Sequence, residues 1–352
     1  MSSPRFFSQE QTAQAAQAQA AARCGLCPRK CLLANGEEGP CRVRLNRNAA
    51  PAIPFYGFVS GIAIDPIEKK PLYHFRPGTD ILSAGFVGCN LRCPFCQNWR
   101  ISQNTEVPGQ PYSPAKLIAF AKDPAQVADM HSIAAMHSIA YTYSEPLLHA
   151  EFLLDCMREA RKAGIANVLV TNGCVNAEPA REILELCDAA NIDLKCFSEE
   201  TYSKILGGDM STVTGFIRMA VEKGVHVEIT TLVVPGLNDS QGELDSCRDF
   251  IAELDRNLVW HLSAYHPNYK WSAPATDPAF LFTAAERGRE KLNYVYTGNI
   301  AGDNDTPCPH CNKPLVRRRA YRTDTSALLL KEENGKAVYF CASCGQKAPF
   351  FL

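Results

Sequence analysis

The feature that most constrains this chain is a repeated alternation of strand-like and helix-like runs between residues 80 and 300. Apolar runs rich in β-branched residues predict strands at 81–88, 138–143, 167–171, 191–194, 225–234, 259–265 and 294–297. Amphipathic stretches between them predict helices at 114–128, 146–163, 178–189, 211–223, 241–255 and 278–291. Several of these open with Pro or follow Ser, Asn or Asp, the residue types that start helices. Such an order implies parallel strands joined by right-handed crossovers. Six or seven units exceed one mononucleotide-binding half and predict an α/β fold, a partial (β/α)6 TIM-type barrel. At 352 residues the chain has room for that barrel and for additions at both ends.

In such a fold the C-terminal strand ends meet at one mouth, where sites are built. Polar or special residues follow the strands in register: Cys89, then Ser144 and Glu145, Thr171 and Asn172, Lys195, Pro235-Gly236, and His266. A site at that mouth is the expectation.

Cysteine usage narrows the chemistry. Eleven of the 16 cysteines fall in three tight sets: Cys24, Cys27, Cys31 and Cys41; Cys89, Cys93 and Cys96; and Cys308, Cys311, Cys341 and Cys344. The N-terminus has no apolar secretory segment, and no run approaches the roughly 20 apolar residues of a membrane span. A reduced, cytoplasmic chain whose thiolates bind metal is therefore expected, rather than a disulfide framework. A formal charge of −1 with 46% hydrophobic residues excludes a wholly basic nucleic-acid binder and a disordered chain.

Cys89-Asn90-Leu91-Arg92-Cys93-Pro94-Phe95-Cys96 places three thiols directly after a predicted strand. A [4Fe–4S] cube is normally held by four thiolates, so three would leave one iron open. The plainer alternative is a structural zinc that borrows a ligand from His74 or elsewhere.

The CX3CX2C loop, with Phe95 before its last cysteine, resembles the signature of radical S-adenosylmethionine (SAM) enzymes, a likeness that spans roughly residues 50–300. Gly88-Cys89-Asn90, Cys96-Gln97-Asn98, Asp193-Leu194-Lys195 and Val233-Val234-Pro235-Gly236 are similar to the pyruvate formate-lyase activating enzymes. The block Cys24-Gly25-Leu26-Cys27-Pro28 with Cys31, the stretch 64–72 and the Cys-paired tail resemble the AmmeMemoRadiSam-system radical SAM enzymes. The resemblance implies that Cys89, Cys93 and Cys96 ligate three irons of a [4Fe–4S] cluster and that SAM chelates the fourth. SAM would be cleaved reductively to a 5′-deoxyadenosyl radical that abstracts hydrogen from a substrate the sequence does not identify. Tyr143, Ser144 and Glu145 stand where the family has its Gly-Gly-Glu-like motif, Glu145 accepting from the SAM ammonium. Asp193 and Lys195 would bind a ribose hydroxyl or amino group and the carboxylate, or simply form a local ion pair. Thr171, Asn172 and His266 would contact ribose or the methionine portion. An electron donor such as a flavodoxin or ferredoxin is implied, as is association with the other two proteins of the named system.

One departure weakens the alternative of an activase that makes a glycyl radical on a partner protein. Activating enzymes carry an arginine on the strand ending in Val-Val-Pro-Gly, whereas this chain has Thr230 followed by Thr231.

The flanks have their own expectations. Residues 1–22, rich in Gln and Ala, are expected to be disordered or a frayed helix. Residues 23–50 form a four-cysteine unit for zinc, or alternatively an auxiliary [4Fe–4S] cluster. The barrel covers 51–302, and 303–352 is a zinc-ribbon-like tail with strands at 327–331 and 337–340. Arg317, Arg318 and Arg319, with Tyr321 and Arg322, allow a second class of protein: a zinc-stapled binder of nucleic acid or an acidic partner. A solvated strand edge is the plainer account of those charges, and neither nucleic acid nor a membrane is expected as a partner.

Overall fold

The computed structural model describes residues 4–10, 21–48, 50–123, 136–302, 304–319, 322–333 and 336–352. Its main sheet has eight strands: β1 (Gly61–Pro66), β2 (Asp80–Gly85), β3 (Ser138–Thr142), β4 (Ala166–Thr171), β5 (Ala189–Asp193), β6 (His226–Val233), β7 (Val259–Ala264) and β8 (Tyr294–Gly298). They lie in chain order, with β2 to β8 parallel and β1 antiparallel at the edge. All seven predicted strands are present; β1 was not foreseen. Among the described residues no pairing joins β8 back to the first strands.

Among the described residues, six helices of eight residues or more connect the parallel strands: α1 (Pro114–Lys122), α2 (Ala150–Lys162), α3 (Ala177–Leu184), α4 (Met210–Glu222), α5 (Gln241–Leu254) and α6 (Pro278–Gly288). Their starts follow the local chemistry. Ser113, Asp209, Ser240 and Asp277 each accept a backbone N–H of the first turn, with Pro114 and Pro278 in the first helical position. Strands in chain order with right-handed crossovers carry their helices on one face, and α2 packs on both α1 and α3. The helix expected at 178–189 stops at Leu184, because Ala189 already pairs with Val168 in β4. Residues 146–149 form a 3-10 turn before α2. Residues 124–128 of the first expected helix lie outside the described residues.

The base of the sheet is closed by the segment before β2. Fully buried Glu228 accepts from the amides of Tyr73 (2.9 Å) and His74 (2.7 Å) and contacts His226 Nε2 (2.9 Å) and His261 Nε2 (2.6 Å). His74 is buried there, its ring nitrogens engaged by Pro349 O and the Tyr296 hydroxyl. With both ring nitrogens engaged and no place on the wall of the cavity that the cysteine loop lines, it is not the ligand that a zinc on that loop would borrow.

Part of the amino-terminal segment expected to be without structure is folded: Phe7–Glu10 pairs with Ala21–Cys24, which pairs with Leu32–Leu33. The Gln/Ala run at 11–20 lies outside the described residues. Buried Arg44 ties this unit to α2 through two bonds of 2.9 Å to the Glu151 carboxylate. In the tail, Pro314–Arg319 pairs with Thr306–Pro307 and Arg322–Asp324, and Leu328–Glu333 with Lys336–Cys341. The arginine run is divided by the strand's alternation. Arg318 is buried and donates to Tyr73 O at 2.6 Å, while Arg319 pairs with Asp305. Arg318 is therefore a docking residue and not part of a basic surface; Tyr321 lies outside the described residues. No helix among the described residues is long and apolar enough to cross a membrane.

Candidate functional site

The C-terminal ends of the parallel strands and the loop after β2 enclose a cavity of about 330 Å³. The loop brings Cys89, Cys93 and Cys96 to its wall, and the strand ends bring Tyr143, Ser144, Glu145, Thr171, Asn172, Asp193 and Lys195. His266 is not among them: it is exposed beyond β7, with Nε2 3.1 Å from Asn299 O. Its neighbour Asn299 lines the cavity instead.

Gly88 lets the cysteine loop leave β2. Its φ is +75°, and a Cβ there would sit 2.4 Å from Cys41 O, so only glycine fits between the strand end and the amino-terminal unit. Beyond it, Leu91 N donates to Cys89 Sγ at 3.4 Å, and Cys96 Sγ lies 3.2 Å from Ser102 Oγ. Burial pushes the Cys93 thiol up to about 12, despite the nearby Lys195 charge. A thiol so placed ionises readily only against a metal.

Glu145 is fully buried and well partnered. Its carboxylate accepts from Thr171 Oγ1 (2.6 Å), Asn172 N (2.8 Å) and Leu147 N (3.0 Å). Burial pushes its pKa up to about 7, with the bonds from Thr171, Asn172 and Leu147 pulling the other way. The Asn172 side chain is likewise committed: Nδ2 donates to Cys89 Sγ (3.5 Å) and Asn90 Oδ1 (3.1 Å), and Oδ1 accepts from Cys174 N (2.8 Å). Thr171 and Asn172 thus hold other site residues in place. Lys195 Nζ pairs with Asp193 Oδ2 at 2.7 Å, the local ion pair that the sequence left open. Burial opposes the Lys195 charge, but Asp193 and Cys93 hold its pKa above the usual lysine range.

The sequence reading missed further charged groups on the wall, Lys69 and Lys70. Lys70, within the stretch 64–72, donates to Asp65 Oδ2 at 2.6 Å and lies 4.7 Å from the Tyr143 ring centroid. Asp65 also accepts from Lys69 and from the Tyr143 hydroxyl. Although burial would raise its pKa, these three donors hold it well below the usual carboxylate range. Tyr143 is fixed at a φ of 71°, a conformation non-glycine residues seldom adopt. Two lysines so close in sequence carried no periodicity to mark one of them as buried at the mouth.

The residues fit the cofactors that such a loop takes. Three thiols face one cavity without a fourth cysteine on its wall, and Ser144 Oγ is buried there with no hydrogen-bond partner among the described residues. The first set up a metal centre with an open position; the second is a polar group that lacks a ligand atom.

Taken together, the fold and site define an α/β protein with a three-thiolate centre at its strand-end mouth. A profile of the Radical SAM superfamily matches residues 85–245. The uncharacterized protein MJ0808 of Methanocaldococcus jannaschii is 36% identical over 94% of this chain and 96% of its own. The pyruvate formate-lyase 1-activating enzyme of Escherichia coli is 28% identical over 53% of this chain and 76% of its own. The crystal structure of SuiB from Streptococcus suis overlaps 67% of this chain and 52% of that one, with a TM-score of 0.48 and 14% identity. The chain belongs to the radical SAM superfamily and is similar to its pyruvate formate-lyase activating enzymes. Membership makes it an enzyme of radical chemistry and implies a [4Fe–4S] cluster with SAM.

The other cysteine sets differ from each other. Cys308, Cys311, Cys341 and Cys344 converge, all four sulfurs lying within 4.8 Å of one another. Cys24, Cys27, Cys31 and Cys41 line a common cavity beneath the amino-terminal strands. None of the 16 cysteines is joined in a disulfide.

Proposed function

We propose that Cys89, Cys93 and Cys96 hold a [4Fe–4S] cluster with SAM beside it, and that the chain abstracts hydrogen from a substrate seated in the same mouth. When bound, this pair supplies one-electron reductive cleavage and hence an organic radical. The observation that supports the reading is the convergence of three thiols, and no fourth, on a cavity lined by parallel strand ends.

The chain's own residues position and shield. Glu145, held by three donors, has a remaining acceptor site for an ammonium group. Thr171 and Asn172 orient Glu145 and the cysteine loop, and the Ser144 hydroxyl offers an unused polar contact. The Asp193–Lys195 pair presents opposite charges suited to the zwitterionic head of an amino acid. With Thr230 where activating enzymes carry arginine, carboxylate recognition falls to Lys195. The strands in chain order support a partial (β/α)6 barrel with one further parallel strand and the antiparallel β1 at its edge. The tail thiols suit a structural zinc.

Activation of a partner protein by forming a glycyl radical is a second reading, favoured by similarity to the activating enzymes.

The test is anaerobic reconstitution with iron and sulfide, then SAM and a strong reductant. 5′-Deoxyadenosine is expected from the wild type and none from Cys93→Ala. Wild-type protein that holds no cluster on this loop, or forms no 5′-deoxyadenosine, overturns the proposal.

A further inference from the structure

The two four-cysteine sets have the same ligand type and number but different spacing. In the tail, Cys308 and Cys344 sulfurs are 3.7 Å apart and those of Cys311 and Cys341 3.8 Å. Four thiolates placed tetrahedrally about 2.3 Å from one zinc ion are about 3.8 Å from each other. The tail is thus drawn up around the space of a single ion.

Cys24, Cys27, Cys31 and Cys41 also share one cavity, walled by Leu26 and Leu33. Among the described residues only the tail gives three or more ligand atoms all within 4.8 Å, so no three of these amino-terminal sulfurs are that close. Four thiols that face one space yet stand apart fit a ligated body larger than an ion. A [4Fe–4S] cube takes one thiolate on each iron and holds the four farther apart than zinc does. We propose that Cys24, Cys27, Cys31 and Cys41 ligate a second [4Fe–4S] cluster, separate from the one on the loop after β2.

The surroundings agree with this assignment. The Arg29 amide faces Cys27, and the Val43 and Arg44 amides face Cys41, each favouring the thiolate against the effect of burial, a polarity that suits a thiolate-bound centre. The cluster core carries +2 when oxidised and four thiolates carry −4, leaving a net −2; Arg29 and Arg44 line the same cavity. The site also adjoins the first. Arg29 Nε donates to Asn90 O at 3.2 Å, between Cys89 and Cys93, and Cys41 O abuts Gly88.

The experiment uses the full chain, reconstituted anaerobically with ferrous iron and sulfide and analysed for iron, labile sulfide and zinc. Two four-iron centres predict about eight irons in the wild type and about four in the triple variant Cys89→Ala, Cys93→Ala, Cys96→Ala. The iron left in that variant should give Mössbauer and reduced-state EPR signals of a [4Fe–4S] cluster, and adding Cys31→Ser should deplete them. Because the triple variant lacks the first site, the result is independent of the proposed SAM chemistry. A wild type with about four irons and two zincs overturns the proposal. So does a triple variant that keeps wild-type circular dichroism but holds no iron.

Discussion

The side-chain amide of Asn172 donates to Cys89 Sγ at 3.5 Å, linking the end of β4 to the loop that leaves β2. The same nitrogen reaches Asn90 Oδ1 at 3.1 Å, so one buried residue holds two consecutive positions of the cysteine loop. An N–H directed at a ligating sulfur stabilises the more negative, reduced state of a metal centre. Asn172→Ala should therefore retain the loop's iron but shift its reduction potential to more negative values, read by an EPR-monitored redox titration. It should also cost about 1–3 kcal/mol in urea unfolding, since Cys174 N loses its acceptor. An unchanged potential would show that the contact has no electronic effect.

Glu145 makes stability depend on pH. Its carboxyl, raised from 4.5 to about 7 in the folded chain, binds a proton more tightly folded than unfolded. Its contribution is fully present below about pH 4.5 and is lost as pH rises through 7, on the order of 3 kcal/mol. Urea midpoints of the metal-free protein should fall more steeply between pH 4.5 and 7 for the wild type than for Glu145→Gln. Parallel slopes would falsify this.

Arg44 and Glu151 form a bidentate pair with side-chain exposures of 2% and 1%. Arg44→Ala leaves the buried carboxylate without its counter-ion and should cost about 3–5 kcal/mol, measured by chemical denaturation. The double variant Arg44→Met, Glu151→Met should recover much of that loss, because neither charge then needs burial. If Arg44→Ala alone proves neutral, the pair does not tie the amino-terminal unit to α2.

Cys311→Ala breaks the compact sulfur set of the tail while leaving the mouth intact. Zinc content should fall from one per chain to none, and Tm should drop. The yield of 5′-deoxyadenosine per loop cluster should stay at the wild-type level. A protein that keeps its zinc and its Tm would remove the structural role assigned to this set.

Much of the fold was legible because its signals are local. The seven parallel strands are mostly buried and rich in apolar residues, as expected for strands inside a covered sheet, with polar exceptions such as Glu228 and His261, and helix starts such as Ser113-Pro114 and Asp277-Pro278 carry their own caps. β1 escaped notice because Gly61–Pro66 combines glycine, Asp65 and a terminal proline, and is a strand only through pairing with β2. The helix expected to reach residue 189 overran because the preference for helix there yields to pairing with β4. His266 fitted the register of strand-end residues, yet register says nothing about which way a turn aims its side chain.

The sequence by itself determined the order of strands and helices, the loop that presents three thiols, and the presence of two complete four-cysteine sets. Only the tertiary structure decided how those groups are used. It placed Lys70 on the cavity wall and buried Arg318, committed Thr171 and Asn172 to Glu145 and Cys89, and drew one cysteine set to ion spacing while holding the other apart. Those outcomes depend on distances between side chains that lie tens of residues apart in the chain, and such distances exist only once the sheet has brought its strand ends together.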